Sequence, residues 1–226
     1  MHALRLAPRP GVSLRAAAIT KLFGETVALW EVDLSGRSGE LIGVHGTNGS
    51  GKTTLLRIVA GLVAPTRGRV AFTTDSPGTR ARIGFLGHAT HLFDDLSAIE
   101  NVELAASLAR RDVGDAIDLL RRLGVAPTAA RRVGGLSAGT RRRVGLARTL
   151  ATDPDVLLVD EPFAGLDRAA ADLVVGAIDE ARDDGRLVVI ATHDDARSRA
   201  LATRTVWLDE GRVRRDPGAA AVATGS

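Results

Sequence analysis

A glycine-rich segment, GTNGSGKTT at residues 46–54, has the residue types and spacing needed to bind phosphate. It fits the pattern G-x-x-x-x-G-K-[ST] through Gly46, Gly51, Lys52 and Thr53. Glycines let successive backbone N–H groups converge on phosphate oxygens, and a helix starting there adds its positive end. Lys52 is predicted to hold the β- and γ-phosphates of a nucleotide, and the Thr53 hydroxyl to bind Mg²⁺. The alternative is a glycine-rich turn that only precedes a helix. The predicted loop residues are Gly46, Thr47, Asn48, Gly49, Ser50, Gly51, Lys52, Thr53 and Thr54.

Two acids follow an apolar run in VLLVDE at residues 156–161. A buried parallel strand would present both acids at its carboxyl end, beside the phosphate loop. Asp160 is then predicted to hold Mg²⁺ through water, and Glu161 to polarise the attacking water. Adjacent acids also occur at ordinary solvated strand ends, so the pair alone does not decide. The phosphate loop upstream favours the catalytic interpretation.

A third motif, LSAGT at residues 136–140, precedes RRRVGLARTL and, further on, the acid pair. Ser137 stands where a helix N-cap belongs, and its hydroxyl, with the N–H groups around Gly139, would form a second anion site. The arginines at 141–143 oppose the helix dipole, so we expect a nearby anion or acidic partner to compensate them. The alternative is a helix cap with no ligand.

As a set, these motifs resemble those of the ABC-type ATPases, in which LSAGT corresponds to the signature loop, usually LSGGQ. AGLD at 164–167 resembles the family's D-loop, and ATHD at 191–194 puts His193 where a switch histidine contacts the γ-phosphate. Phe23, in KLFGETVAL, matches the aromatic that stacks on adenine. Outside the resemblance, such a His is a surface or packed residue and such a Phe is core. The likeness covers roughly residues 14–210 and implies that Glu161, His193 and Lys52 are catalytic.

Two positions depart from the family pattern. After IGFL at 83–86 the family has a Gln that reaches Mg²⁺ and water, whereas this chain has His88. Imidazole is a poorer Mg²⁺ ligand than an amide oxygen, so His88 either orients water or packs. Thr140 replaces the usual Gln, which weakens a contact to the ribose. His88, the segment LGHATHLFDDLSAIENV and the Ala of LSAG together look like the ATP-binding subunit of haem exporters used in cytochrome c maturation.

Short apolar runs alternate with helical patterns and predict an α/β fold. The expected architecture is a P-loop NTPase core with a parallel sheet, an antiparallel β edge subdomain and an inserted helical subdomain, as in the ABC ATPases. Residues 1–13 are predicted to be a loose leader, 14–216 one domain with its helical subdomain at about 88–134, and 217–226 a disordered tail. Predicted strands are 14–19, 27–34, 41–45, 69–72, 83–86, 156–160, 187–191 and 206–208, and the main predicted helices are 53–60, 138–151 and 169–183.

Composition narrows the class of protein. The 226 residues are 45% apolar and 25% charged, as in one globular unit. Cysteine is absent, so disulfides and thiolate sites are excluded and a reducing, cytoplasmic setting is expected. No apolar run is long enough to span a membrane. The net charge of +3 and the interspersed acids do not favour nucleic-acid binding.

The resemblance also implies partners. Two subunits, either two copies of this chain or one copy with a related ATPase, would meet head to tail, with each ATP between one phosphate loop and the other LSAGT. ATP and Mg²⁺ are the implied ligands, and a separate transmembrane permease would bind the chain to the cytoplasmic face of the membrane. The alternatives are an ABC ATPase of another transporter, a soluble ABC protein acting on nucleic acid or ribosomes, and a weakly hydrolysing partner in a mixed pair. Glu161 and His193 argue against the last, whereas His88 and Thr140 favour it.

Overall fold

Two β-sheets and six α-helices are present within residues 9–112, 114 and 116–214, which a computed structural model of the chain describes. The predicted tail and most of the predicted leader lie outside these residues. The elements are β1 (Val12–Phe23), β2 (Thr26–Arg37), β3 (Leu41–His45), α1 (Lys52–Val59), β4 (Arg67–Thr74), β5 (Ile83–Leu86), α2 (Ala98–Leu108), α3 (Ala116–Arg122), α4 (Ala138–Ala151), β6 (Val156–Asp160), α5 (Arg168–Asp183), β7 (Leu187–Ala191), α6 (Asp195–Leu201), β8 (Arg204–Asp209) and β9 (Arg212–Arg214).

The larger sheet has the order β5-β6-β7-β3-β8-β9, and all its neighbouring strands are parallel except β8 and β9. Every residue of β3, β6 and β7 is buried, which explains why these strands read as unbroken apolar runs. In β6, Val156 and Leu158 face one core with α1, whereas Leu157 and Val159 face a second core with the other helices. The sheet is therefore covered on both faces.

The smaller sheet is antiparallel, with the order β2-β1-β4, and its apolar side completes the core around α1. Alternate residues of β1, beginning with Val12, Leu14 and Ala16, are buried. The predicted antiparallel edge and parallel core are thus confirmed. β1 begins at Val12, two positions before the predicted strand start.

Residues between β5 and β6 form α2, α3, two short 3₁₀ turns and α4. α2 begins with a capping box, in which Ser97 accepts a hydrogen bond from the Glu100 N–H and the Glu100 carboxylate accepts one from the Ser97 N–H. Buried Asn101 bonds the backbone of Phe93 through both its amide oxygen and its amide nitrogen. Asn101 therefore fixes the nonhelical segment between β5 and α2 against the first turns of α2.

Ion pairs join the start of the described chain to the amino-terminal end of β6. Arg9 pairs with Asp153, which also binds Arg111 after α2 at 3.1 Å. Arg82 binds Asp155 at 2.6 Å. Burial raises the pKa of Asp155, but the hydrogen bonds and charge of Arg82, with the charge of Arg9, outweigh it and hold this pKa below its ordinary value.

None of the helices within the described ranges has the length and apolar character required to cross a membrane.

Candidate functional site

The phosphate loop connects β3 to α1, and its glycines have backbone angles that other residues rarely adopt. Gly46, Gly49 and Gly51 have φ values of 142°, 83° and 105°. A Cβ on Gly46 would lie 2.1 Å from the Leu208 carbonyl oxygen, and one on Gly51 would lie 2.6 Å from the Ala28 carbonyl oxygen. Only Gly49 has open space around it. Close approach of the neighbouring strands therefore requires glycine at positions 46 and 51.

Lys52 is the first residue of α1, and its buried ammonium group lies over the loop. The Nζ atom donates to the carbonyl oxygens of Gly46 at 2.7 Å and Thr47 at 2.8 Å. Thr47 and the neighbouring Asn48 and Gly49 are exposed, whereas Ser50 is buried with no hydrogen-bond partner for its Oγ. Burying a hydroxyl without a hydrogen-bond partner is costly, so the Ser50 Oγ favours a polar ligand bound at this loop. Thr54 lies half-buried on α1.

The Thr53 hydroxyl and the Asp160 carboxylate meet at the end of β6. Thr53 Oγ1 donates to Asp160 Oδ2 at 2.8 Å, and Asp160 Oδ1 is buried without a partner. Burial raises the pKa of Asp160 above its ordinary value, aided by the charge of Glu161 and opposed by the Thr53 hydrogen bond and the charge of Arg142. A hydroxyl beside an unsatisfied carboxylate oxygen suits a hard divalent cation that takes its other ligands from phosphate and water. These two residues therefore fit Mg²⁺.

Glu161 and His193 are brought together by the parallel pairing of β6 and β7. Glu161 has φ 53°, and its N–H donates to the Ala191 carbonyl oxygen at 2.7 Å. Its Oε2 atom accepts from Thr192 Oγ1 at 3.0 Å and lies 2.9 Å from His193 Nδ1. Glu161 is mostly buried, whereas the His193 side chain is 65% exposed. Thr192 and His193 thus fix the Glu161 carboxylate, and most of the histidine side chain remains exposed.

The LSAGT loop forms the start of α4. Ser137 Oγ accepts from the Thr140 N–H at 3.2 Å and lies 2.9 Å from Thr140 Oγ1. Ser137 is an exposed N-cap, so its hydroxyl and the first N–H groups of α4 are accessible from outside the chain. A Cβ on Gly139 would lie 2.8 Å from the carbonyl oxygen of Gly165. The LSAGT loop therefore packs against AGLD of the same chain.

The three arginines that follow have partners within the chain. Arg141 forms an ion pair with Asp94 at 2.6 Å, which is the acidic partner expected for this helix start. Arg143 donates to the carbonyl oxygens of Leu123 at 2.8 Å and Gly124 at 3.1 Å. Arg142 is buried and binds backbone carbonyls. Asp94 thus compensates the charge of Arg141, whereas Arg142 and Arg143 bind neutral carbonyl oxygens.

Residues 29–164 match a family model described as ABC transporter. The chain belongs to the ABC transporter family. Membership of this family implies ATP hydrolysis.

Relatives and solved structures agree with this assignment. The chain is 36% identical over 228 residues to the lipoprotein-releasing system ATP-binding protein LolD 1 of Caulobacter vibrioides, covering 91% of this chain and 97% of that protein. It is 36% identical over 219 residues to the sulfate/thiosulfate import ATP-binding protein CysA 2 of Rhizobium meliloti, covering 89% of this chain but only 59% of that protein. A dimeric structure of the ATP-binding cassette MJ0796, in a post-hydrolysis state bound to ADP and Pi, superposes with a TM-score of 0.80 at 31% identity, covering 89% of this chain and 97% of that one.

The resemblance to ABC ATPases is thus confirmed at the level of the family, whereas the narrower likeness to haem exporters is not shown. The relatives are named for sulfate or thiosulfate import and for lipoprotein release. His88 lies close enough to Asp160 for its charge to lower the pKa of that carboxyl, and the backbone carbonyls of His88 and Asp160 accept from the same Arg142 guanidinium. His88 is exposed after β5, and Phe23 is 53% exposed with Lys21 Nζ 4.9 Å from its ring centroid.

Two residues of this ABC site were not predicted from the sequence. Thr192 is fully buried and joins Glu161 to the Asp194 N–H, which donates to Thr192 Oγ1 at 3.0 Å. Its position next to His193 is the only sequence signal for it. Arg142 donates to the Asp160 carbonyl oxygen, a contact between residues on different elements that the run of three arginines did not indicate.

Proposed function

We propose that this chain binds ATP with Mg²⁺ and hydrolyses the ATP to power a separate transmembrane permease. The observation that carries the proposal is the convergence of Thr53, Asp160, Glu161 and His193 at the carboxyl ends of β6 and β7, beside the phosphate loop. Ligands of open α/β sheets bind at this edge. The family assignment supports the same chemistry.

Each side chain has a role that fits its surroundings. Lys52 and the loop N–H groups would hold the β- and γ-phosphates, exchanging the loop carbonyls that the ammonium now contacts for phosphate oxygens. Glu161, fixed by Thr192, would orient the attacking water, and exposed His193 would contact the γ-phosphate. Thr53 and Asp160 would hold Mg²⁺, which when bound neutralises charge on the β- and γ-phosphates.

The chain would act as one half of a head-to-tail pair. Ser137 and the first N–H groups of α4 form an exposed anion site on the LSAGT loop. A second copy, or a related ATPase subunit, would supply its phosphate loop and ATP to that site. The dimeric form of the MJ0796 cassette is consistent with this arrangement. Phe23, with Lys21 on its ring, would stack on adenine from the same chain.

The permease would dock on the apolar surface of α2. Phe93 is 55% exposed and Leu108 is 76% exposed, and a shallow groove runs between them past Leu104 and Ala105. An exposed apolar patch of this kind is typical of a protein interface. The chain would then be peripheral to the cytoplasmic face of the membrane.

For the transported substrate, the narrower hypothesis is haem export for cytochrome c maturation. It depends on His88, on the segment at 86–102 and on Ala138 in the LSAGT loop. The permease that co-purifies with the chain tests it, because a haem-exporting permease would retain haem, visible by its absorption, and a sulfate or lipoprotein permease would not.

The decisive measurement is ATP hydrolysis by the purified wild-type chain and by Glu161→Gln, with Mg²⁺, alone and with its membrane partner. We expect the wild type to release phosphate. The variant keeps the shape of the glutamate side chain but not its charge, so it should bind ATP and retain at most a small fraction of the hydrolysis rate. An inactive wild type in both settings would instead favour the weakly hydrolysing partner. Co-purification without any membrane protein would contradict permease coupling.

A further inference from the structure

Arg142 makes contacts that link separate parts of the site. It lies on α4, is only 5% exposed, and donates through Nη1 to the carbonyl oxygens of Gly87 at 2.7 Å and His88 at 3.0 Å. Its Nη2 atom donates to the carbonyl oxygen of Asp160. One guanidinium thus bridges the turn after β5 and the end of β6. Its Nε atom is buried without a partner.

We expect the Arg142 guanidinium to keep its three carbonyl contacts, because it stays charged when buried and its donors then need acceptors. Burial lowers the pKa of Arg142 from its ordinary value, against the attraction of Asp160 and Glu161, but arginine does not lose its proton in proteins. Releasing any of the three carbonyls would leave a buried donor on a buried charge without an acceptor, which is costly. A movement of the His88 turn or of Asp160 is therefore expected to carry α4 with it.

The same helix begins at the LSAGT loop. α4 runs without interruption from Ala138 to Ala151, with Ser137 as its N-cap. Near its start, Gly139 packs against Gly165, which follows the acid pair. Asp160 is thus connected through the Arg142 side chain and α4 to the LSAGT loop, whose anion site is exposed.

We propose that Arg142 is a positioning residue that couples the two ATP sites of the pair. It ties Asp160 and the His88 turn, which serve the chain's own ATP, to the LSAGT loop, which serves the ATP of the partner. The inference rests on the proposed head-to-tail pair. It predicts that a change at Arg142 acts across the interface on a site whose own phosphate loop and acids are intact.

Arg148 provides a matched control. It lies further along α4, is half-buried, and donates to the carbonyl oxygens of Thr90 at 2.7 Å and His91. Burial lowers its pKa as well. Arg148 therefore has the same chemistry as Arg142 on the same helix, but its described hydrogen bonds do not reach the end of β6.

The test uses mixed pairs of two differently tagged full-length chains, purified through both tags. One chain is wild type, and the other carries Glu161→Gln alone or together with Arg142→Gln or Arg148→Gln. The only site able to hydrolyse ATP then combines the wild-type phosphate loop with the LSAGT loop of the altered chain. We expect Arg142→Gln to slow the first turnover of that site at least about tenfold, and Arg148→Gln to change it less than about twofold.

Binding of a fluorescent ATP analogue to the Arg142→Gln chain shows whether that chain is folded. If it is not, Arg142→Lys, which keeps the charge but only part of the donor set, takes its place and should slow the same turnover with an unchanged KM for ATP. An unchanged turnover with a folded Arg142 variant would overturn the coupling. If the reference pair carrying only Glu161→Gln does not turn over although the wild-type pair does, Arg142→Gln and Arg148→Gln are compared in pairs with both Glu161 residues intact, and equal turnover of the two would overturn the coupling. Inactivity of the wild-type pair would instead reject the proposed function, and the inference with it.

Discussion

Replacing Thr192 by valine should impair hydrolysis without disrupting the phosphate loop. The fully buried Thr192 hydroxyl donates to Glu161 Oε2 at 3.0 Å and accepts from the Asp194 N–H at 3.0 Å. Valine has nearly the same shape but makes neither bond. A hydrogen bond to a charged group contributes about 1.5–3 kcal/mol. If this bond holds Glu161 in its working position, kcat falls by roughly 10- to 150-fold.

The KM for ATP should change little, because the hydrogen bonds of the Thr192 hydroxyl are to Glu161 and Asp194 rather than to the phosphate loop. The assay is steady-state phosphate release over a range of ATP concentrations, together with urea unfolding. Unfolding should show a loss of about 1 kcal/mol from the Asp194 N–H that loses its acceptor. Thr192→Ser keeps the hydroxyl and is the control. A valine variant with wild-type kcat would refute the reasoning, and a serine variant as slow as valine would show that the methyl group matters instead.

Two further predictions concern stability. Because the pKa of Asp155 is lowered in the folded chain by Arg82, its stabilising contribution is complete above the unfolded-state pKa of about 4 and is lost as pH falls through the folded pKa. Urea midpoints of wild type and Asp155→Asn should therefore differ at pH 7 and converge below about pH 4, and an equal difference at both pH values would contradict this. Gly46→Ala should destabilise the chain by well over the roughly 1–2 kcal/mol expected for Gly49→Ala, because both have positive φ but only the first puts a Cβ 2.1 Å from a backbone oxygen. Equal losses in thermal unfolding would show that the loop relaxes freely.

The bounds of the buried strands and of α4, the helix that begins at the LSAGT loop, could be predicted from the sequence almost to the residue. β3, β5, β6, β7 and α4 have the predicted bounds. β3, β6 and β7 are buried throughout and are therefore apolar runs with sharp polar ends, whereas the start of α4 is marked by its N-cap, Ser137. β9 was missed, because its three residues are all exposed and carry no apolar period. The partner of β4 was also not predicted, since antiparallel pairing with β1 joins segments far apart in the chain.

The sequence by itself determined the phosphate loop, the acid pair and the LSAGT motif, because each is a contiguous segment whose chemistry depends on local backbone geometry. Only the tertiary structure decided that Thr192 holds Glu161, that Asp94 compensates Arg141, and that Arg142 binds both the turn at 87–88 and the end of β6. The reason is physical: a hydrogen bond needs its two atoms about 3 Å apart. That distance, for residues on different elements, is set by how strands pair and helices pack rather than by spacing along the chain.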